Sequence, residues 1–237
     1  MTPQDRAVAS PDFHVVPAGD SALLVQLDDR LDSAINDLAI AIARAVRTSG
    51  FAGVRDVTST YRSVAIYFDP LRTDYSTLVD GVTAAAAIAP RTSPTVSQPI
   101  RVPVCYGGEL GPDLDAVAAF AGIGQDEVIR LHTSRTYRVF MLGFLPGFTY
   151  MGTVDERIAV PRLADPRSNV QAGSVGIAGF QTGIYPASTP GGWRIVGRTP
   201  IKPFDLHRAE PFMFKPGDAV EFYAIKPVEY SRFESAC

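Results

Sequence analysis

From Gly143 to the end of the chain, no run of apolar residues recurs at helical spacing. Gly and Pro instead cut the sequence into short β-rich runs, such as residues 174–178, 193–196 and 219–225. A helix needs apolar residues three and four apart over ten or more positions, whereas a strand needs only a few positions bounded by turn formers. That restricts this part of the chain to a β-barrel or sandwich with long loops. Just before it, residues 100–104 and 136–142 read as strands. Residues 113–121 and 125–132 read as two short helices separated by Gly122, Ile123 and Gly124.

The beginning of the chain carries both periodicities. After the turn-forming Gly19, Asp20 and Ser21, residues 22–27 make a short apolar strand. Asp32 or Ser33 can cap a helix on which Ile35, Leu38, Ile42, Ala45 and Val46 share a face, with Gly50 at its end. Residues 54–60 and 63–68 predict a paired β-β unit. Asp74 starts a second helix with Leu78, Val79 and Val82 on its apolar face, and Pro90 stops it. This β-α-β-β-α order predicts a small α+β domain with its helices on one face of a sheet. The stretch PRTSPTVSQP, residues 90–99, has a linker's composition. The expected organisation is an α+β domain over 1–90, a linker over 91–99 and a mainly-β barrel domain over 100–237.

Composition narrows the function. Of the 237 residues, 46% are hydrophobic and 20% charged, which suits a folded chain with a real core rather than a disordered one. The net charge of −3 argues against a nucleic-acid binder, which shows a basic excess or stripe. No apolar run approaches the roughly 18 residues of a membrane span. The opening MTPQDRAVASPDFHVV lacks the basic head and apolar stretch of a signal peptide, and reads as a loose leader on a cytoplasmic protein. Cys105 and Cys237 are too few for a disulfide framework, and Cys105 sits in the strand-like IRVPVCYGG.

The candidate functional residues lie in two segments, GFLPGFTYMG (143–152) and the long Gly/Pro/Arg block 160–200. Gly lets backbone approach a ligand and Pro stiffens a loop. Arg offers planar two-donor recognition of carboxylate or phosphate. Arg162, Arg167 and Arg198 are candidate anion binders; Ser174, Gln181 and Thr182 are candidate hydrogen-bonding groups; Tyr185 and Trp193 are candidate pocket walls. His132, at the end of QDEVIRLH, reads either as a histidine favoured by the helix C-terminal dipole or as a proton carrier. AGSVG (172–176) is one residue short of a nucleophile elbow and lacks the helix that should follow it, so Ser174 reads as a hydrogen-bonding group. No phosphate loop and no zinc-ligand spacing occurs.

Several long ordered stretches carry a family resemblance: GDSALLVQL, STYRSVAIYFDP, VPVCYGGELGPDL, LHTSRTYRVFMLGFLPGFTYMG, the block 160–200 and PGDAVEF. On these the chain resembles the family of B-type subunits of 5-oxoprolinase, which also appears as subunit 1 of proteins labelled allophanate hydrolase and includes a sporulation-kinase inhibitor. Thr149, Met151 and Phe180 depart from the family pattern. The resemblance implies a cyclophilin-like barrel after the α+β domain. It implies work with a carboxyltransferase-like partner (the C-type subunit) and a third 5-oxoprolinase subunit, opening 5-oxo-L-proline to L-glutamate at the expense of ATP. Without a phosphate loop in this chain, either a partner supplies most of the ATP site, or arginines and backbone amides here hold the phosphates. It leaves two other roles open: inhibition of a sensor histidine kinase, and the acceptor half of a carboxyltransferase or allophanate-hydrolase-like module.

Overall fold

Asp32 does cap the first helix: its carboxylate accepts from the amides of Ala34 and Ile35 at 2.7 and 3.3 Å. Gly50 closes that helix at φ 61°, a left-handed conformation that glycine adopts without a Cβ penalty. The structure, a computed structural model, describes residues 13–90 and 98–235. These belong to two compact units. Residues 91–97 of the expected linker, the first 12 residues of the expected leader and Cys237 lie outside the described residues.

The first unit runs β1 (His14–Pro17), β2 (Ala22–Gln26), α1 (Ser33–Ser49), β3 (Val54–Ser59), β4 (Ser63–Phe68) and α2 (Tyr75–Ala87). The strands form one antiparallel sheet in the order β1-β2-β4-β3. Leu23, Val25, Val57, Val64, Ile66 and Phe68 point from it into a core shared with Ala39, Ile42 and Val46 of α1 and Leu78 and Val82 of α2. Fully burying side chains of this size is worth about 1.5–3 kcal/mol each. One expectation is corrected here. Part of the supposed leader is structural, because Phe13 is only 4% exposed and β1 pairs with β2 from His14↔Gln26 to Pro17↔Leu23. A strand this short shows too little alternation to stand out from a polar leader.

The second unit runs β5 (Ile100–Tyr106), α3 (Leu114–Ala121), α4 (Gln125–Thr133), β6 (Thr136–Leu142), β7 (Thr149–Gly152), β8 (Arg167–Val170), β9 (Ser174–Ala178), β10 (Gln181–Ile184), β11 (Thr189–Gly191), β12 (Arg194–Arg198), β13 (Ala219–Ala224) and α5 (Pro227–Ser235). Seven of these strands close a barrel in the order β10-β7-β6-β13-β5-β12-β9, while β8 and β11 pair apart from it. β13 lies parallel to β5 and antiparallel to β6, with Val220 paired to Ile100, so the last strand completes a barrel begun by the first strand of this unit. The interior is packed. Val102, Val104, Val139, Met151, Val175, Ile177, Ile184, Val196, Val220 and Phe222 from the strands meet Leu114, Val117, Val128 and Leu131 from α3 and α4. Helix α5 falls in the stretch expected to hold no helix. It begins with Pro227, a favoured first helical residue, and buries little besides Tyr230. So narrow an apolar face gives the sequence no helical signal.

Candidate functional site

Side chains alternate across a strand, and β10 divides the predicted site residues by that rule. Thr182 and Ile184 point into the barrel, where Ile184 joins the interior core and Thr182 meets His132. Gly183 faces outward beneath Trp193 and Phe148, and Tyr185, the next residue after β10, lies with them. The predicted residues therefore separate into an inner set and an outer set.

The inner set centres on His132, brought in by α4. It is fully buried, and its ring stacks on Phe222 with centroids 4.7 Å apart. Nδ1 lies 2.7 Å from the Tyr106 hydroxyl and Nε2 lies 2.8 Å from Thr182 Oγ1. A neutral imidazole has one N–H donor and one acceptor nitrogen, so these two hydroxyls satisfy it completely. The Tyr137 hydroxyl donates to the His132 carbonyl at 2.8 Å. Burial pushes the imidazole pKa down to about 3 and the Tyr106 phenol well above its ordinary range. The helix C-terminal dipole would raise the imidazole; desolvation outweighs it. His132, read from the sequence as a possible proton carrier, is thus a neutral, fully bonded core histidine sealed from solvent.

The outer set lies on the outside of strands β9, β10 and β12. Trp193 rests on β10 at Gly183, where a Cβ would come within 2.5 Å of the Thr149 carbonyl and 3.1 Å of the indole. Only glycine leaves room for that packing. Phe148 meets Tyr150, Tyr185 and Trp193 edge-on at 4.7, 4.9 and 5.4 Å. These rings are an arrangement worth about 0.5–1.5 kcal/mol per pair beyond area burial. Tyr185 and Trp193 are themselves buried. They form the floor of the face rather than the walls of an open pocket.

Cations edge this aromatic floor. Exposed Arg162 holds its guanidinium 5.9 Å from the Trp193 ring, and Leu163 next to it donates to the Gly192 carbonyl at 2.8 Å. Arg167 on β8 is the register partner of Gly191 on β11. Two arginines thus flank residues 191–195. Arg198 on β12 stands opposite Ser174 on β9, and Tyr185 donates its amide to the Ser174 carbonyl at 2.9 Å. Arg167 Nη1, Arg194 Nε and Arg198 Nε are buried without a hydrogen-bond partner. An unmet buried donor costs about 1–3 kcal/mol, which a bound anion would relieve. Gln181 opens β10 and is half-buried. Ser174 is buried on a strand followed by more strand, without the strand-to-helix turn of a nucleophile elbow.

Sequence reasoning missed Asp113, Phe148 and Tyr150 here, and Tyr106 within the barrel. Asp113 follows Pro112 at a helix start, which reads as an ordinary cap. Its carboxylate instead takes Arg167 Nη2 at 2.7 Å and the Ile195 amide at 2.6 Å. The only available signal was an Asp at a helix start that already carries a second acid, Asp115, in its first turn.

Among the described residues, no group of three or more His, Cys, Asp or Glu is placed to hold a metal. Their helix N-termini do not favour a phosphate. A helix N-terminus binds phosphate when its amides are open. Each described α-helix instead starts with an acid at its cap or first turn: Asp32, Asp74, Asp113, Asp126 and Glu229. Acids there complement the helix dipole and repel phosphate. Lys202, Lys215 and Lys226 are exposed, and Lys215 is paired with Glu210 at 3.3 Å. No described helix is long and apolar enough to cross a membrane.

The family described as the carboxyltransferase domain, subdomain C and D, matches residues 13–214. The B-type subunit of 5-oxoprolinase from Bacillus subtilis (strain 168) is 34% identical over 233 residues, covering 94% of this chain and 97% of that protein. Its counterpart from Escherichia coli O157:H7 is 52% identical over 123 residues, which cover 52% of this chain and 56% of that one. The crystal structure of TTHA0988 superposes with a TM-score of 0.78 at 32% identity, covering 86% of this chain and 40% of that longer one. The chain therefore belongs to the family of B-type subunits of 5-oxoprolinase, built on the fold of carboxyltransferase subdomains C and D.

Proposed function

We propose that this chain is a cytoplasmic subunit of an ATP-dependent 5-oxoprolinase, which hydrolyses 5-oxo-L-proline to L-glutamate together with a carboxyltransferase-like subunit and a third subunit. The observation that carries the reading is the outer face of the barrel, taken together with the 5-oxoprolinase relatives. The substrate pairs a carboxylate with a lactam amide, so its site needs cations beside polar groups. Arg162, Arg167 and Arg198 supply the cations; Ser174, opposite Arg198, and Gln181, at the start of β10, supply polar groups. The aromatic floor excludes water beneath them and strengthens charge interactions at the face. In this reading ATP sits mainly on a partner subunit; acids at the helix N-termini of this chain disfavour phosphate there, which supports that placement. The partner also completes the chemistry in this reading.

The test is reconstitution. ADP release that depends on 5-oxoproline should appear with all three subunits and vanish when any one is omitted. Hydrolysis by this chain alone would overturn the reading. A second reading, acceptor half of a carboxyl-transfer module, is favoured by the family's description as a carboxyltransferase domain. It predicts that carboxylated biotin, rather than ATP with 5-oxoproline, supports turnover beside the partner.

A further inference from the structure

Asp113 is a buried carboxylate whose local role goes unused. It occupies the cap position of α3, yet its side chain makes no capping bond there. It joins two distant segments instead. Its backbone amide donates to the Ile195 carbonyl at 2.9 Å, and its Oδ2 accepts from the Ile195 amide at 2.6 Å, so both peptide groups of Ile195 on β12 are held. Its Oδ1 accepts from Arg167 Nη2 at 2.7 Å across 54 residues of sequence. The Asp113 side chain is 7% exposed and that of Arg167 32%. One end of the ion pair is sealed in the protein while the other reaches the surface.

A guanidinium gripped at one terminal nitrogen loses part of the rotational freedom of its long stem. The same carboxylate grips the strand that carries Arg194 and Arg198. We propose that Asp113 is a positioning residue for anion binding at the outer face: it orients the Arg167 guanidinium toward the carboxylate of the substrate while tying it to β12. The inference rests on the functional reading above and extends it by one residue. A partner that fixes a cation before the ligand arrives removes part of the ordering cost of binding, so its loss weakens affinity and leaves the chemical step alone.

In the reconstituted complex, Asp113→Asn keeps an oxygen for the Ile195 amide and withdraws the charge facing Arg167. KM for 5-oxoproline should rise on the order of tenfold with kcat nearly unchanged. In an Arg167→Ala background the same substitution should add nothing, because Asp113 acts through that guanidinium. Effects that multiply, or an unchanged KM in Asp113→Asn, overturn the proposal. Where Asp113→Asn does not fold, Arg167→Lys replaces it: charge is kept, the planar fork is lost, and the same rise in KM is expected. An unchanged KM there is equally fatal. A complex with no activity dependent on 5-oxoproline sinks the functional reading separately. Asp113 is then judged by side-chain 15N–1H spectra of the full chain titrated with 5-oxoproline. Arg167 resonances that shift in the wild type and not in Asp113→Asn support the proposal; resonances that do not shift in the wild type overturn it.

Discussion

Two aromatic and polar clusters sit on opposite sides of strand β10, one inside the barrel and one outside. Inside, His132, Tyr106, Tyr137 and Thr182 pair their polar groups with one another, and the histidine is sealed and neutral. Outside, Phe148, Tyr185 and Trp193 are as deeply buried, but arginines edge them, and Arg167 Nη1 and Arg198 Nε retain donors without partners. The comparison teaches that burial and aromatic content do not mark a site. Unmet hydrogen-bonding capacity next to exposed charge does.

The largest effect expected from this contrast is on acid stability. The folded chain holds His132 neutral down to about pH 3, while the unfolded chain takes up a proton below about 6.5. Between those values the unfolded state binds more protons, so this contribution is fully present above pH 6.5 and is lost as pH falls. At about 1.36 kcal/mol per unit, lowering the pH to 4 should cost on the order of 3 kcal/mol. Urea unfolding at several pH values measures it. Replacing His132 with Leu should lower the slope of stability against pH by about one proton in that window. An unaltered slope would mean that the inner cluster is open to protons, and the contrast would fail.

Next in size is Arg198→Ala, the outer counterpart. Removing a charged hydrogen-bond donor should lower kcat/KM roughly ten- to a hundredfold. The subunits should still co-elute on a sizing column. Unchanged kinetics in an assembled complex carrying both Arg198→Ala and Gln181→Ala would move substrate binding to a partner.

Thr182→Val sharpens the contrast on a single strand. It keeps the side-chain shape but leaves His132 Nε2 without its partner, so stability should drop by about 1–2 kcal/mol while KM for 5-oxoproline holds. A changed KM with stability intact would place Thr182 in the binding machinery. The smallest effect is Arg162→Ala, whose cation–π contact with Trp193 is worth about 0.5–1 kcal/mol at an exposed position. Thermal unfolding should barely move while KM rises. A large thermal shift would show that Arg162 is part of the aromatic floor.

Much of the fold was legible because local rules agree with the tertiary result. Asp32 and Asp74 start their helices and Gly50 ends one as capping chemistry demands, and residues 136–142 form the strand their β-rich run predicts. β1 and α5 were not legible, since each buries too few residues to impose a period. Of the candidate site, residue types identified Arg162, Arg167 and Arg198 as cations in a loop-rich block. Type alone could not separate Thr182 from Gln181, adjacent residues that fall to opposite faces of β10.

The sequence by itself determined most of the elements, the mainly-β class of the second unit and the family resemblance, because caps, periodicities and long ordered motifs act over a few residues at a time. Only the tertiary structure decided that His132 is a sealed core histidine and that Asp113 belongs to Arg167 rather than to its own helix. Both outcomes depend on groups 50 or more residues apart, His132 with Thr182 and Asp113 with Arg167. Barrel closure brings those groups together, and the desolvation that accompanies it keeps the imidazole neutral.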